Sequence, residues 1–180
     1  MHKIDTRIVG SAGEHHVLSQ LLRRGWVAAK APEGAPNMDI LVTDKSSRRL
    51  CAIRVKTRRA IGTDKGWHMK PKHETMIADD LFYVFVDVGG KPSDSTVCFI
   101  LPSRVVADSI RECHRVWLET PGRGGRPHKD SKVRRLLPDN SYIRPITAEG
   151  SKIVDRYSTG WLDRYRENWN ILGLPLADSF

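Results

Sequence analysis

Apolar spacing predicts a helix near the start of the chain and a short strand after it. Four apolar side chains in residues 10–24 follow helical intervals: Val17, Leu18, Leu21 and Leu22. Ser11 and Glu14 have the spacing of an N-terminal capping box, and Gly25 is a typical helix stop. Residues 26–29 then have the composition of a strand.

Four further strands and a second helix follow from the same kind of pattern. Residues 38–43 and 49–57 flank a polar turn and predict a hairpin. Residues 81–88 and 97–101 are nearly continuous apolar runs, which predict buried central strands. Residues 102 to about 114 show a helical stripe. Together these elements predict an α/β fold, a mixed sheet of about five strands flanked by helices.

The remaining segments are polar or aromatic. Residues 58–76 are basic and irregular, and loops of that length in a compact domain are often functional. Residues 120–130, rich in Gly, Pro and basic side chains, predict a mobile loop. Residues 155–170 carry Trp161, Tyr165 and Trp169 at helical intervals, which predicts a helix with a core or dimer stripe.

Composition places the chain among ordinary globular proteins. Its 180 residues are 39% hydrophobic and 28% charged, which suits one domain spanning 1–180 with its own core. No apolar run reaches the length of a membrane span, and no secretory leader is evident. Three widely spaced cysteines (Cys51, Cys98 and Cys113) favour a reducing, cytoplasmic setting.

The distribution of charged residues along the chain predicts a binding partner. The chain has 30 Lys and Arg against 21 Asp and Glu, a net charge of +9. Residues 45–72 hold ten basic residues and one acidic residue, and residues 111–135 hold eight and three. The rest of the chain is net acidic. Two concentrated basic stretches predict a polyanionic partner, DNA or alternatively RNA.

The predicted hairpin also carries candidate chemistry. Asp39 opens its first strand and Lys56 closes its second. Strand alternation places Arg54 and Lys56 on one face, beside Asp39. A divalent cation could bind the carboxylate while Lys56 holds or deprotonates a water, and phosphodiester cleavage needs such parts.

Four short motifs give the chain a resemblance to a known family. Gly13-Glu14, Gly25-Trp26, Asn37-x-Asp39 and Val55-Lys56-Thr57, in this order, resemble the PD-(D/E)XK nuclease superfamily. The resemblance covers residues 8–115 and leaves residues 116–180 as a C-terminal extension. It implies a restriction-endonuclease-like core and the activity of a metal-dependent DNA endonuclease. Such nucleases often pair to cut two strands, so a homodimer is a further expectation.

The resemblance also implies a role for each matching residue. Asp39 would be the principal ligand of Mg²⁺ or Mn²⁺, and Glu14 an auxiliary acid on the first helix. Val55 would offer its backbone carbonyl to the metal. Lys56 would position or activate the attacking water.

Position 54 departs from the family pattern. The family has an acid or sometimes Gln there, whereas this chain has Arg54, which cannot bind a metal. Three interpretations stay open. Asp39 and Glu14 hold the metal alone, another acid (Glu33 or Glu74) enters the site, or the site is inactive and the protein only binds DNA or RNA. Arg54 could also form an ion pair with Asp39 or Glu14.

Structural roles remain open for the same residues. Glu14 could serve only the capping box, Asp39 could have a purely local role, and Lys56 could be a charge that protects a sheet edge from aggregation. Trp67 could stack on a base or close its loop onto the core. A third class of function is a protein-interaction subunit that docks through the terminal aromatic helix. The candidate nucleic-acid contacts are Arg54, Arg58, Arg59, Lys65, Trp67, Lys70, Lys72, Arg123 and Arg126.

Overall fold

The computed structural model describes residues 5–59 and 66–175, which form two compact units. The first unit contains residues 5–59, 78–103 and 165–175, and the second contains residues 66–77 and 104–164. Residues 165–175, at the end of the predicted C-terminal extension, lie in the first unit. A single domain over 1–180 stays a prediction.

Three α-helices and seven strands lie within the described residues. In chain order they are α1 (Thr6–Arg23), β1 (Val27–Lys30), β2 (Ile40–Thr43), β3 (Leu50–Arg58), β4 (Trp67–Met69), β5 (Leu81–Asp87), β6 (Val97–Pro102), α2 (Ser103–Glu119), β7 (Arg134–Leu136) and α3 (Ala148–Arg156).

The first unit contains a five-stranded mixed sheet in the order β1-β2-β3-β5-β6. Only the β3–β5 pair is parallel; the other neighbours are antiparallel. The predicted hairpin is confirmed, with Ile40 opposite Ile53. The predicted α/β class with a mixed sheet of about five strands is confirmed too. The prediction that β6 is central was wrong, because β6 ends the strand order.

Helix α1 begins earlier than its apolar stripe predicted. Asp5 caps it, since its carboxylate accepts the backbone N–H of Arg7 at 2.8 Å. Ser11 and Glu14 are therefore inside the helix, and the capping-box interpretation of Glu14 was wrong. Val17 and Leu21 are fully buried, as the stripe predicted.

One cluster of apolar side chains joins α1 to the sheet. Every second residue of β3 points into it (Cys51, Ile53 and Val55), together with Val17 and Leu21 of α1. Arg54 and Lys56 therefore point to the opposite face of the sheet.

The second unit corrects two predictions. The basic segment 58–76 is not wholly irregular, because β4 pairs antiparallel with β7. Residues 155–170 do not form one helix: α3 ends at Arg156, and a turn at Gly160, with φ of 87°, breaks the helical path. Trp161 packs against the core of the second unit and Trp169 lies in that of the first, so the described part of residues 155–180 does not form the predicted aromatic stripe for docking. In the described part of the chain, no helix is long and apolar enough to cross a membrane.

Candidate active site

Asp39 directly precedes β2, at the point where the pairing of β2 with β3 begins. The last pair of the hairpin is Ile40 with Ile53, so the backbone of Val55 extends past β2. The Asp39 carboxylate fills this position, accepting the Val55 N–H at Oδ2 over 2.7 Å. In an extended strand the N–H and C=O of one residue leave on the same side, so we expect the Val55 carbonyl to face Asp39 as well.

Arg54 lies beside the same carboxylate, as one of the interpretations predicted. Its Nε is 3.9 Å from Asp39 Oδ2, with side-chain exposures of 14% and 23% for Arg54 and Asp39. The buried Nε has no hydrogen-bond partner. The guanidinium therefore balances the carboxylate by charge alone, without the closer contact that would fix it in place.

Tyr83 completes this cluster on the neighbouring strand. It is in register with Arg54 and fully buried. Burial raises the pKa of Tyr83 to about 12, while Arg54 lowers that pKa and Asp39 raises it. Tyr83 is therefore a neutral phenol at physiological pH, and it lies close enough to Arg54 and Asp39 for both charges to affect its pKa.

Glu14 reaches the site from α1. Its Oε2 lies 2.8 Å from Nζ of Lys30, at the end of β1. The helix can approach β3 closely because residue 13 is glycine: a Cβ there would lie 1.9 Å from Oγ1 of Thr57. Gly13 thus sets the distance between Glu14 and the strand that carries Lys56.

Glu14 and Asp39 line one groove of about 640 Å³ in the first unit. Glu33 lines it too, as do the cations Arg7 and Lys30. The structure therefore places the two predicted carboxylate ligands and one of the two proposed substitute acids at one groove. The other, Glu74, belongs to the second unit, where it forms an ion pair with Arg134.

Lys56 follows Arg54 by two residues on the same face of β3 and is half-buried. It is in register with Phe85 of β5 and is not among the residues that line the groove. Its connection to Asp39 is therefore sequential: Lys56 follows Val55, whose N–H binds the Asp39 carboxylate.

The described residues contain no group of three or more His, Cys, Asp or Glu side chains arranged to hold a metal ion. They offer three carboxylates that line one groove, Glu14, Glu33 and Asp39, together with a guanidinium where the family pattern has an acid. Carboxylate oxygens suit Mg²⁺, which often uses only one or two of them and completes its shell with water and substrate phosphate. The donor set thus fits Mg²⁺ or Mn²⁺ in kind, with Arg54 as an opposing charge.

The predicted nucleic-acid contacts other than Arg54 and Lys65 fall into three groups. Two arginines are held inside the first unit: Arg58 by Asp87 at 2.8 Å and Arg59 by the Gly90 carbonyl at 2.7 Å. Trp67 is 1% exposed, so the prediction that it stacks on a base was wrong, and its indole instead packs in the core. The exposed cations are Lys70, Lys72, Arg123 and Arg126. Lys65 lies outside the described residues.

Sequence reasoning missed two members of the site. Lys30 is opposite Ile40 in the β1–β2 pair, one position from Asp39, but its pairing with Glu14 depends on that register. Tyr83 is inside a continuous apolar run, where nothing marks it as close to two charges. In each case the missing information was how a further strand pairs with the β2–β3 hairpin: β1 for Lys30 and β5 for Tyr83.

No protein-family profile and no curated protein sequence matches this chain. Among solved structures, a bacterial homing endonuclease, I-Ssp6803I, is similar, with a TM-score of 0.50 and 12% sequence identity over 93% of this chain and 91% of that one. The fold is restriction-endonuclease-like. A second similar structure is Hjc, a Holliday junction resolvase from Archaeoglobus fulgidus, with a TM-score of 0.42 and 14% identity over 79% of this chain and 95% of that one.

Proposed function

We propose that this protein is a nuclease that hydrolyses phosphodiester bonds in DNA with the help of Mg²⁺ or Mn²⁺. The observation that carries the proposal is the groove shared by Glu14 and Asp39, where Asp39 also accepts the N–H of Val55, the residue before Lys56. The similar fold of a DNA-cutting enzyme, a homing endonuclease, supports the same substrate class.

The carboxylates of Asp39 and Glu14 would hold the metal, and the Val55 carbonyl would face the same position. When bound, the ion would stabilise the negative charge that develops on the attacked phosphate. Binding would require Glu14 to release Lys30, which now lies 2.8 Å from it.

The other residues act on the water and the DNA. Lys56 would position the attacking water or accept its proton. Attack of that water on phosphorus breaks one P–O ester bond and leaves a phosphate monoester and a hydroxyl group. The Arg54 guanidinium would turn toward the DNA phosphates once they compete with Asp39 for it.

The second candidate is binding of nucleic acid without cleavage. It is favoured by the ion pairs at both carboxylates, Asp39 with Arg54 and Glu14 with Lys30. In this case Arg54 and Lys30 would neutralise the two carboxylates in place of a metal ion. The basic segments alone would then bind DNA or RNA. A homodimer stays a prediction under both candidates.

Cleavage of supercoiled plasmid in Mg²⁺, in Mn²⁺ and in EDTA distinguishes the two candidates. A nuclease cuts with either metal, stops in EDTA, and loses at least about a hundredfold in rate in Lys56→Met, the usual size of an acid–base contribution. Lys45→Met, at an exposed position in the β2–β3 turn, is the matched control and should cut normally. Binding without cutting in any metal would favour the second candidate.

A further inference from the structure

A separate cavity of about 250 Å³ lies entirely within the second unit. Its walls come from α2, from the β4–β7 pair and from the chain on both sides of β7. Pockets for drug-sized ligands run from about 300 to 1,000 Å³, so this one suits a single planar ring system.

Aromatic rings form much of the wall, and two of them, His114 and Trp117, are held by neighbouring side chains. His114 and Trp117 on α2 have ring centroids 5.5 Å apart, and His128 lies 4.0 Å from Trp117. His114 is held by Asp130, 2.8 Å from its Nε2. Tyr142 lines the same cavity and is 50% exposed, so it lies where a ligand would enter. Rings fixed in this way are stacking platforms that need little reordering on binding.

The charge around the cavity favours a ligand that carries phosphate. Among the described residues that line it there is no carboxylate, whereas the cation Arg135 lines it, opposite the exposed His68 across β4 and β7. The segment 111–135 that supplies much of the wall has eight basic and three acidic residues. A nucleotide combines a flat aromatic ring with a phosphate group and so has both of the features that this cavity favours.

We propose that this cavity binds one unpaired nucleobase of a nucleic-acid strand, with the base against Trp117 and Tyr142 and its phosphate at Arg135. The proposal rests on the proposed function, because it requires that the protein binds nucleic acid. It adds a substrate class, DNA with a base outside the helical stack. Extruding such a base costs least where pairing is already broken.

Fluorescence of 2-aminopurine tests the proposal. The probe is placed as a single bulged base in a short duplex, and a fully paired duplex of otherwise identical sequence is the comparison. The protein carries Asp39→Asn, so that the DNA stays intact. We expect quenching of the bulged base and binding at least about fivefold tighter than to the paired duplex, the lower end of one stacked base.

Two variants locate the effect. Tyr142→Ala and Arg135→Gln should each lose the preference for the bulged duplex while keeping affinity for the paired one. Ile146→Ala, which truncates an exposed side chain of the same unit at 69% exposure, should keep the preference. Equal affinity for both duplexes, or a preference that survives Tyr142→Ala, would overturn the cavity proposal and leave DNA binding in place. No binding to either duplex would overturn both.

Discussion

Replacing Arg54 by glutamine should tighten metal binding. The Arg54 guanidinium is the main positive charge beside the proposed principal ligand, with Nε 3.9 Å from Asp39 Oδ2. Glutamine keeps a polar side chain of similar length but removes the charge. A divalent cation would then meet Asp39 without a competing cation next to it.

The size of the effect follows from the measured distance. An ion about 2.2 Å from Oδ2 would lie at most about 6 Å from Nε. Repulsion between charges of +2 and +1 at that distance is about 1.4 kcal/mol in water and about 5 kcal/mol at an effective dielectric constant of 20. Because both side chains are partly exposed to water, we use the smaller repulsion energy, about 1.4 kcal/mol. This energy corresponds to about a tenfold change in the Kd for the metal.

Isothermal titration with Mn²⁺ at low ionic strength measures this change. Arg54→Gln should bind at least about tenfold tighter than the wild type, and Arg54→Glu tighter still, because it adds an oxygen ligand. Arg48→Gln removes the same charge from an exposed turn and is the matched control. If Arg54→Gln and Arg48→Gln bind Mn²⁺ alike, Arg54 does not oppose a metal at Asp39 and the reasoning is refuted.

Three further predictions concern packing, thiols and DNA affinity. Gly13→Ala should lower the free energy of unfolding in urea by about 1–3 kcal/mol, because the new methyl group clashes with Thr57. Adding Thr57→Ala to this variant should recover part of the loss. An unchanged urea midpoint in Gly13→Ala would contradict this. Burial raises the pKa of Cys98 and of Cys113 to about 12, so neither thiol should react with Ellman's reagent at pH 8 before unfolding, and rapid reaction of the native protein would be the contrary result. DNA affinity should fall with salt by a slope of about −0.9 per phosphate contact, and a flat dependence would exclude the basic segments as the contact surface.

The sheet and the Asp39–Arg54 contact were accessible from the sequence. Alternation along residues 49–57 separated the buried side chains from Arg54 and Lys56, and the short polar turn aligned that strand with the one following Asp39. Both inferences use local periodicity and one tight connection, which a single sequence specifies well.

Features that depend on distant partners could not be predicted in this way. The three residues of β4 carry no strand signal, and they become a strand only by pairing with β7, more than sixty residues later. The terminal aromatic residues have helical spacing, yet the turn at Gly160 sends Trp161 and Trp169 into different units. The hydrogen bond from Val55 to Asp39 arises because β2 begins only at Ile40, which spacing alone does not reveal.

The central claim is that the Asp39 carboxylate serves phosphodiester cleavage. Its most direct test is the nicking rate of supercoiled plasmid in Mn²⁺ for wild type, Asp39→Asn and Asp79→Asn. Asparagine keeps the shape of the side chain and an oxygen for the Val55 N–H, so folding is preserved. Asp79 is exposed and provides the same chemical change outside the groove. We expect nicking by the wild type and Asp79→Asn and none by Asp39→Asn, whereas equal rates in all three proteins, or a wild type that binds plasmid without nicking it, would contradict the claim.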